Sequence, residues 1–153
     1  MKLELSAWSG RTTTLSNVGK TALWPNITDL VAEVDRGILL ESKLRVVVMD
    51  ENSFRKDSLL GAGSISLRRL GPRINSEVEL TVDLQDNGTA IGHVIIGATL
   101  RAARAEEIVE TISEESITFQ KGVLTIKSVS ATNMRGGDSG LFDKQVPWSF
   151  FSL

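Results

Sequence analysis

The oxygen-bearing side chains best spaced for chemistry lie within KLRVVVMDENSFRKDSLLGAGSISL, Lys43 to Leu67. Asp50, Glu51, Asn52, Ser53 and Asp57 follow one another there in one short stretch. Hard oxygen donors gathered on one loop suit Ca²⁺, which takes about six to eight oxygen ligands. Two elements must hold them. Leu44 to Met49 is apolar and β-branched, the composition of a buried strand. Gly61 and Gly63 then open a second strand, Ala62 to Leu67, in which Ile65 and Leu67 alternate with Ser64 and Ser66. Strand, acidic loop, strand carries carboxylates to the rim of a sheet. The plain alternative is a solvated polar loop between two strands, which is common.

Other motifs carry less. Gly19-Lys20-Thr21 has the ending of a phosphate-binding loop, but that motif needs a glycine where Thr14 stands, so a nucleotide site is rejected. His93 is the one histidine, beside a strand glycine, and reads as structural. No nucleophile, base and orienting group fall together, so the chain is expected to be non-catalytic. Asn26 and Asn87 head Asn-x-Thr triplets that would matter only in a secreted protein.

The 153 residues make one domain, or one domain and part of another. Apolar residues at 41% and charged residues at 24% are ordinary for a globular chain. A net charge of −2 argues against nucleic acid as a partner. The absence of cysteine suits an intracellular setting. MKLELSAWSG reads as an alternating strand rather than a signal peptide, and no apolar run approaches the ~20 residues of a membrane-spanning helix. The expectation is a cytoplasmic chain that meets a membrane, if at all, from its surface.

Along the chain, strand periodicity dominates. Leu3, Leu5 and Ala7 alternate with polar residues, Gly10 predicts a turn, and Arg11 to Ser16 a returning strand. Asn17 to Lys20 predicts another turn. Trp24 reads as a core anchor with Pro25 keeping the backbone extended, Ile27 to Val34 as a strand, and Arg36-Gly37 as a break. Arg68 to Ser76 is a polar connection. Glu77 to Leu84 alternates cleanly, Asp86-Asn87-Gly88 is a hairpin signal, and Gly92 to Leu100 returns. Composition shifts at Arg101: AARAEEIVETISEE predicts a helical linker near 102–115, with its acids on a solvated face. Phe119 to Ala131 restarts the strand pattern with Val123 or Leu124, Ile126 and Val129 as apolar positions, and Gln145 to Leu153 is a last apolar stretch after a Gly/Asp loop.

Several of these stretches resemble C2 domains. VVVMDENSFRKDSLLG is similar to the family's third calcium loop, with Asp50 and Asp57 at acid positions and Asn52 where many members carry a second Asp. TALWPN is similar to the family's "NPVWNE" signature, and the stretch from Leu84 to Ile96 resembles its last hairpin. GVLTIKSVSA followed by KQVPWSFFSL resembles the start of a C2 domain, with Val146 where a calcium-binding Asp belongs. The resemblance implies an all-β, antiparallel, eight-stranded β-sandwich. Residues 1–100 then look like a C2 domain lacking its first strand and loop, 101–116 a helical linker, and 117–153 the missing piece. That piece completes its own sandwich by circular permutation, completes a neighbour's in a homodimer by strand exchange, or belongs to a further C2 domain of a tandem array.

The resemblance also implies a function. C2 domains bring proteins to phospholipid surfaces, often through Ca²⁺, while others serve as protein-binding scaffolds. Carried over residue by residue, the calcium candidates are Asp50, Asn52 and Asp57 in one loop and Asp138 and Asp143 in the other. With Asn52 and Val146 removing two charges, calcium dependence is expected to be weak or lost. Phe54, Arg55 and Lys56 at one loop tip, and Leu141 and Phe142 at the other, are the membrane-contact candidates.

Overall fold

The computed structural model describes residues 1–15, 20–50, 58–103 and 119–134, and the backbone of Trp148 and Ser149. Among these residues the fold is mostly antiparallel β, as an all-β class implies. The strands are β1 (Lys2–Leu5), β2 (Trp8–Arg11), β3 (Ala22–Trp24), β4 (Val31–Asp35), β5 (Lys43–Asp50), β6 (Ser58–Ser66), β7 (Glu77–Asp86), β8 (Thr89–Ala102), β9 (Lys121–Thr132) and β10 (Trp148–Ser149). Eight of them run in the order β2-β1-β5-β6-β7-β8-β9-β3, with β10 added on β5 and β4 on β9. The sheet curls round one core. At one end Gly10 of β2 lies so close to Leu30, which precedes β4, that a Cβ on it would stand 2.8 Å from Leu30 Cδ2.

The alternation read from the sequence sets the inward face. Leu80, Val82 and Leu84 of β7 and Val94, Ile96, Ala98 and Leu100 of β8 are buried in that core with Leu44, Val46 and Val48 of β5. Each such Val, Leu or Ile side chain contributes about 1.5–3 kcal/mol on burial. On β9 the inward set steps from Leu124 and Ile126 to Val129 and Ala131, because Gly97 faces Ser128 while Ala98 faces Ile126. Lys127 is thus the extra residue of a bulge. Its carbonyl accepts the Ile27 N–H at 2.8 Å, so the broken ladder is satisfied locally. Leu124 takes the core position and Val123 is exposed, which resolves that alternative. Asn87 at φ 48° and Gly88 at φ 79° form the left-handed hairpin turn between β7 and β8.

Several boundaries differ from the expected ones. The first turn falls at Ser6-Ala7, with Ser6 at φ 53°, while Gly10 sits inside β2 under the Trp8 ring. Arg11 ends β2, and Thr12 to Thr14 are not strand. The strand expected from Ile27 starts only at Val31, because Asn26 at φ 55° turns the chain after β3. Arg36-Gly37 is not a break but the start of a short helix, α1 (Arg36–Glu41), whose first turn is capped by Asp35 Oδ1 accepting the Ile38 N–H at 2.8 Å. The polar connection after β6 contains a 3₁₀ helix, Leu67–Arg73, that buries Leu67 and Leu70 three residues apart. The expected helical linker is corrected at its start: Ala102 is the last residue of β8, opposite Gly122, and Ala103 still donates to the Lys121 carbonyl. The rest of that linker, 104–118, lies outside the described residues. Eight strands form the continuous sheet, and β4 and β10 add to it among the described residues.

Candidate functional site

β5 delivers Asp50 to the rim. Leu44, Val46 and Val48 face the core, and Asp50 continues that inward series with only 7% of its surface exposed. Its neighbours in register are Ser58 on β6 and Trp148 on β10. Between Val48 and Met49 the β5–β6 register shifts by one residue, leaving Leu60 as the extra position just below the rim. Leu59, opposite Met49, is 48% exposed there.

The pairing of β10 fixes where the two acid-bearing segments leave the sheet. β10 is antiparallel to β5, so the chain enters Trp148 from residue 147 at the same rim where it leaves Asp50 for residue 51. β10 lies along the β5 edge in line with β1, which takes Arg45 to Val47 of the same strand.

Of the calcium and membrane-contact candidates, Asp50 alone is described. Asn52, Phe54, Arg55, Lys56 and Asp57 fall in 51–57, and Asp138, Leu141, Phe142 and Asp143 in 135–147, outside the described residues. Among the described residues no three His, Asp or Glu side chains gather as a metal cluster, and no helix is long and apolar enough to cross a membrane. His93 Nε2 lies 2.7 Å from Thr132 Oγ1 across the β8–β9 pair, a cross-strand hydrogen bond on the outer face.

A second polar feature was not singled out in the sequence. Glu4 on β1 stands opposite Arg45 on β5, and Glu4 Oε2 accepts from the Arg45 guanidinium at 2.8 Å. Lys2 pairs with the other Glu4 oxygen. Burial, the largest single influence on Glu4, pushes its carboxyl up. The hydrogen bonds from Lys2 and Arg45, with their charges, more than offset this and hold it below its ordinary value. Arg45 also lines a cleft of about 500 Å³ between β6 and β7, together with Ser64, Thr81, Asp83 and Gln85. The polar positions of β7 could be read from its alternation; which of them border a gap depends on pairing that periodicity does not encode.

No protein-family model, curated protein or solved structure matches this chain.

Proposed function

We propose that this chain is a non-catalytic C2-type β-sandwich module that engages phospholipid surfaces, with weak calcium dependence. The observation that carries the reading is the register of β10 on β5, which sets Trp148 opposite Asp50, residues that follow and precede the two acid-bearing segments in sequence. Those segments carry Asn52, Asp57, Asp138 and Asp143 as oxygen donors, and Phe54, Leu141 and Phe142 as apolar tips. The half-exposed Leu59 at the same rim adds apolar surface. With Asn52 and Val146 in place of acids, calcium affinity in the range of about 10⁻⁴–10⁻³ M is the expectation. On this reading the chain works at the cytoplasmic face of a membrane.

Vesicle sedimentation tests this. Vesicles containing phosphatidylserine should retain the chain more than phosphatidylcholine alone, and Phe54→Ala with Arg55→Ala and Lys56→Ala should weaken retention by at least about thirtyfold, since the two basic residues near an anionic surface are worth about 1 kcal/mol each. Absence of retention on either vesicle, with and without calcium, would reject the reading. A scaffold that binds protein is the second reading. It is favoured by Val31 (43% exposed) and Val123 (37% exposed), diagonal neighbours on the outer side of β4 and β9.

A further inference from the structure

The ladders of β5 with β6 and of β7 with β8 run the length of the strands, but β6 meets β7 in register only where Ala62 faces Gln85. On the outer face of β5, β6 and β7 a cleft of about 500 Å³ is lined by Arg45, Ser64, Thr81, Asp83 and Gln85. Gly63 forms its inner wall at close approach: a Cβ on it would stand 2.2 Å from the Asp83 carbonyl oxygen. The β6 and β7 backbones thus stay closely packed beneath these outer-face side chains. The cleft volume lies within the range of about 300–1,000 Å³ typical of small-molecule sites.

The lining selects the ligand by charge. Arg45, Ser64, Thr81, Asp83 and Gln85 supply one cation, one carboxylate, one amide and two hydroxyls, with Ala62 the only apolar side chain. A simple anion would face the Asp83 carboxylate, and a simple cation would face Arg45. Arg45 and Asp83 belong to strands two apart, roughly 10 Å between backbones. That separates the two poles by more than one hydrogen bond while leaving them within reach of one small molecule. Arg45 uses one guanidinium N–H on Glu4 Oε2, so it is held in place by a cross-strand partner. Its remaining N–H donors form the planar fork that matches a phosphate.

We infer that the β6–β7 cleft binds a small zwitterion joining a phosphate to a primary ammonium, the chemistry of an ethanolamine phosphate headgroup, with Arg45 on the phosphate and Asp83 on the ammonium. Ser64, Thr81 and Gln85 complete the hydrogen bonds between the poles. This deepens the lipid-surface reading by naming a headgroup, and it requires no calcium.

The test uses the full chain in EDTA, with amide chemical shifts followed by NMR. Free O-phosphoethanolamine should give saturable shifts confined to β5, β6 and β7 at millimolar ligand. Asp83→Asn should weaken phosphoethanolamine about tenfold yet leave inorganic phosphate binding unchanged. Arg45→Met should weaken both by at least that factor. Both side chains point outward, and the same spectra report whether each variant is folded. A second arm compares phosphatidylcholine vesicles with and without phosphatidylethanolamine. Retention that needs phosphatidylethanolamine and is lost in Asp83→Asn assigns the site to a lipid headgroup. Binding of the free compound without such retention supports the cleft and assigns it to a soluble ligand, rejecting the lipid source. No saturable shift up to about 20 mM, or shifts unchanged in both variants, would overturn the inference. Because calcium is absent throughout, failure here is distinct from failure of the calcium-loop reading.

Discussion

Removing the Trp24 side chain tests the fold at one of its large buried anchors. Trp24 is 3% exposed and belongs to the single core, and its indole Nε1 donates to the Thr13 carbonyl at 2.7 Å, tying the segment after β2 to β3. Trp24→Ala removes the whole ring and should cost about 3–5 kcal/mol. For a chain of this size that lowers the melting temperature by roughly 6–20 °C, at 2–4 °C per kcal/mol. Trp24→Phe keeps most of the packing and loses the hydrogen bond. Because Thr13 is exposed, water can replace the donor, so the bond is worth near the low end of about 0.5–1.5 kcal/mol. Phe should therefore cost about 1–2 kcal/mol once the smaller ring is included. Urea unfolding followed by far-UV circular dichroism measures both without relying on tryptophan fluorescence, which Trp8 and Trp148 also contribute. A cost below about 1 kcal/mol for Trp24→Ala would refute the placement of this ring in the core.

Two further predictions follow from local geometry. Gly88→Ala places a Cβ in open space but at φ 79°, so its cost is conformational alone, about 1–2 kcal/mol; Gly92→Ala should cost more, since φ 151° is combined with a Cβ 2.5 Å from the Thr132 carbonyl oxygen, and thermal denaturation of the pair ranks them. Glu4 has a folded-state pKa below its ordinary value of 4.5, so its stabilising contribution is present above that value and is lost as pH falls through the lowered folded value. The stability difference between the wild type and Glu4→Gln, measured by urea titration, should hold steady near neutral pH and shrink in acid; a difference that grows on acidification would contradict the Lys2–Glu4–Arg45 arrangement.

Much of the fold was legible because it rests on period-two alternation. Most of the β7–β8 hairpin was readable, with Leu80, Val82 and Leu84 marking one face and Asn87-Gly88 the left-handed turn, but not the register shift at Leu84/Gln85 or the extension of β8 to Thr89 and Ala102. What was not legible depends on partners. Gly10 looked like a turn because glycine usually marks one, yet it is a strand residue left bare for the Trp8 ring, and the turn fell to Ser6. Arg36-Gly37 read as a break because six residues are too few to show helical periodicity, while the cap from Asp35 and the buried Leu39 decide the matter. The Lys127 bulge appears in the sequence only as a slipped apolar position between Ile126 and Val129.

The candidate site was legible as chemistry rather than as geometry. Asp50 is recognisable as the acid ending an apolar strand, but its neighbour in register, Trp148, is nearly a hundred positions away (148 against 50), and no local pattern could announce that pairing. The cleft shows the same limit. Thr81, Asp83 and Gln85 alternate visibly on the outer face of β7, yet their approach to Arg45 depends on how β6 pairs with β7. Which residues of β6 and β7 stand in register is set by tertiary pairing, and composition carries no record of it.

The most direct test of the calcium-assisted lipid reading is calorimetric titration of Ca²⁺ into the wild type, Asp50→Asn and Asp57→Asn, with circular dichroism confirming that each variant is folded. The account predicts saturable heat in the wild type with Kd in the range of about 10⁻⁴–10⁻³ M, abolished in both variants. No heat at millimolar calcium, or heat that both variants retain, would contradict it.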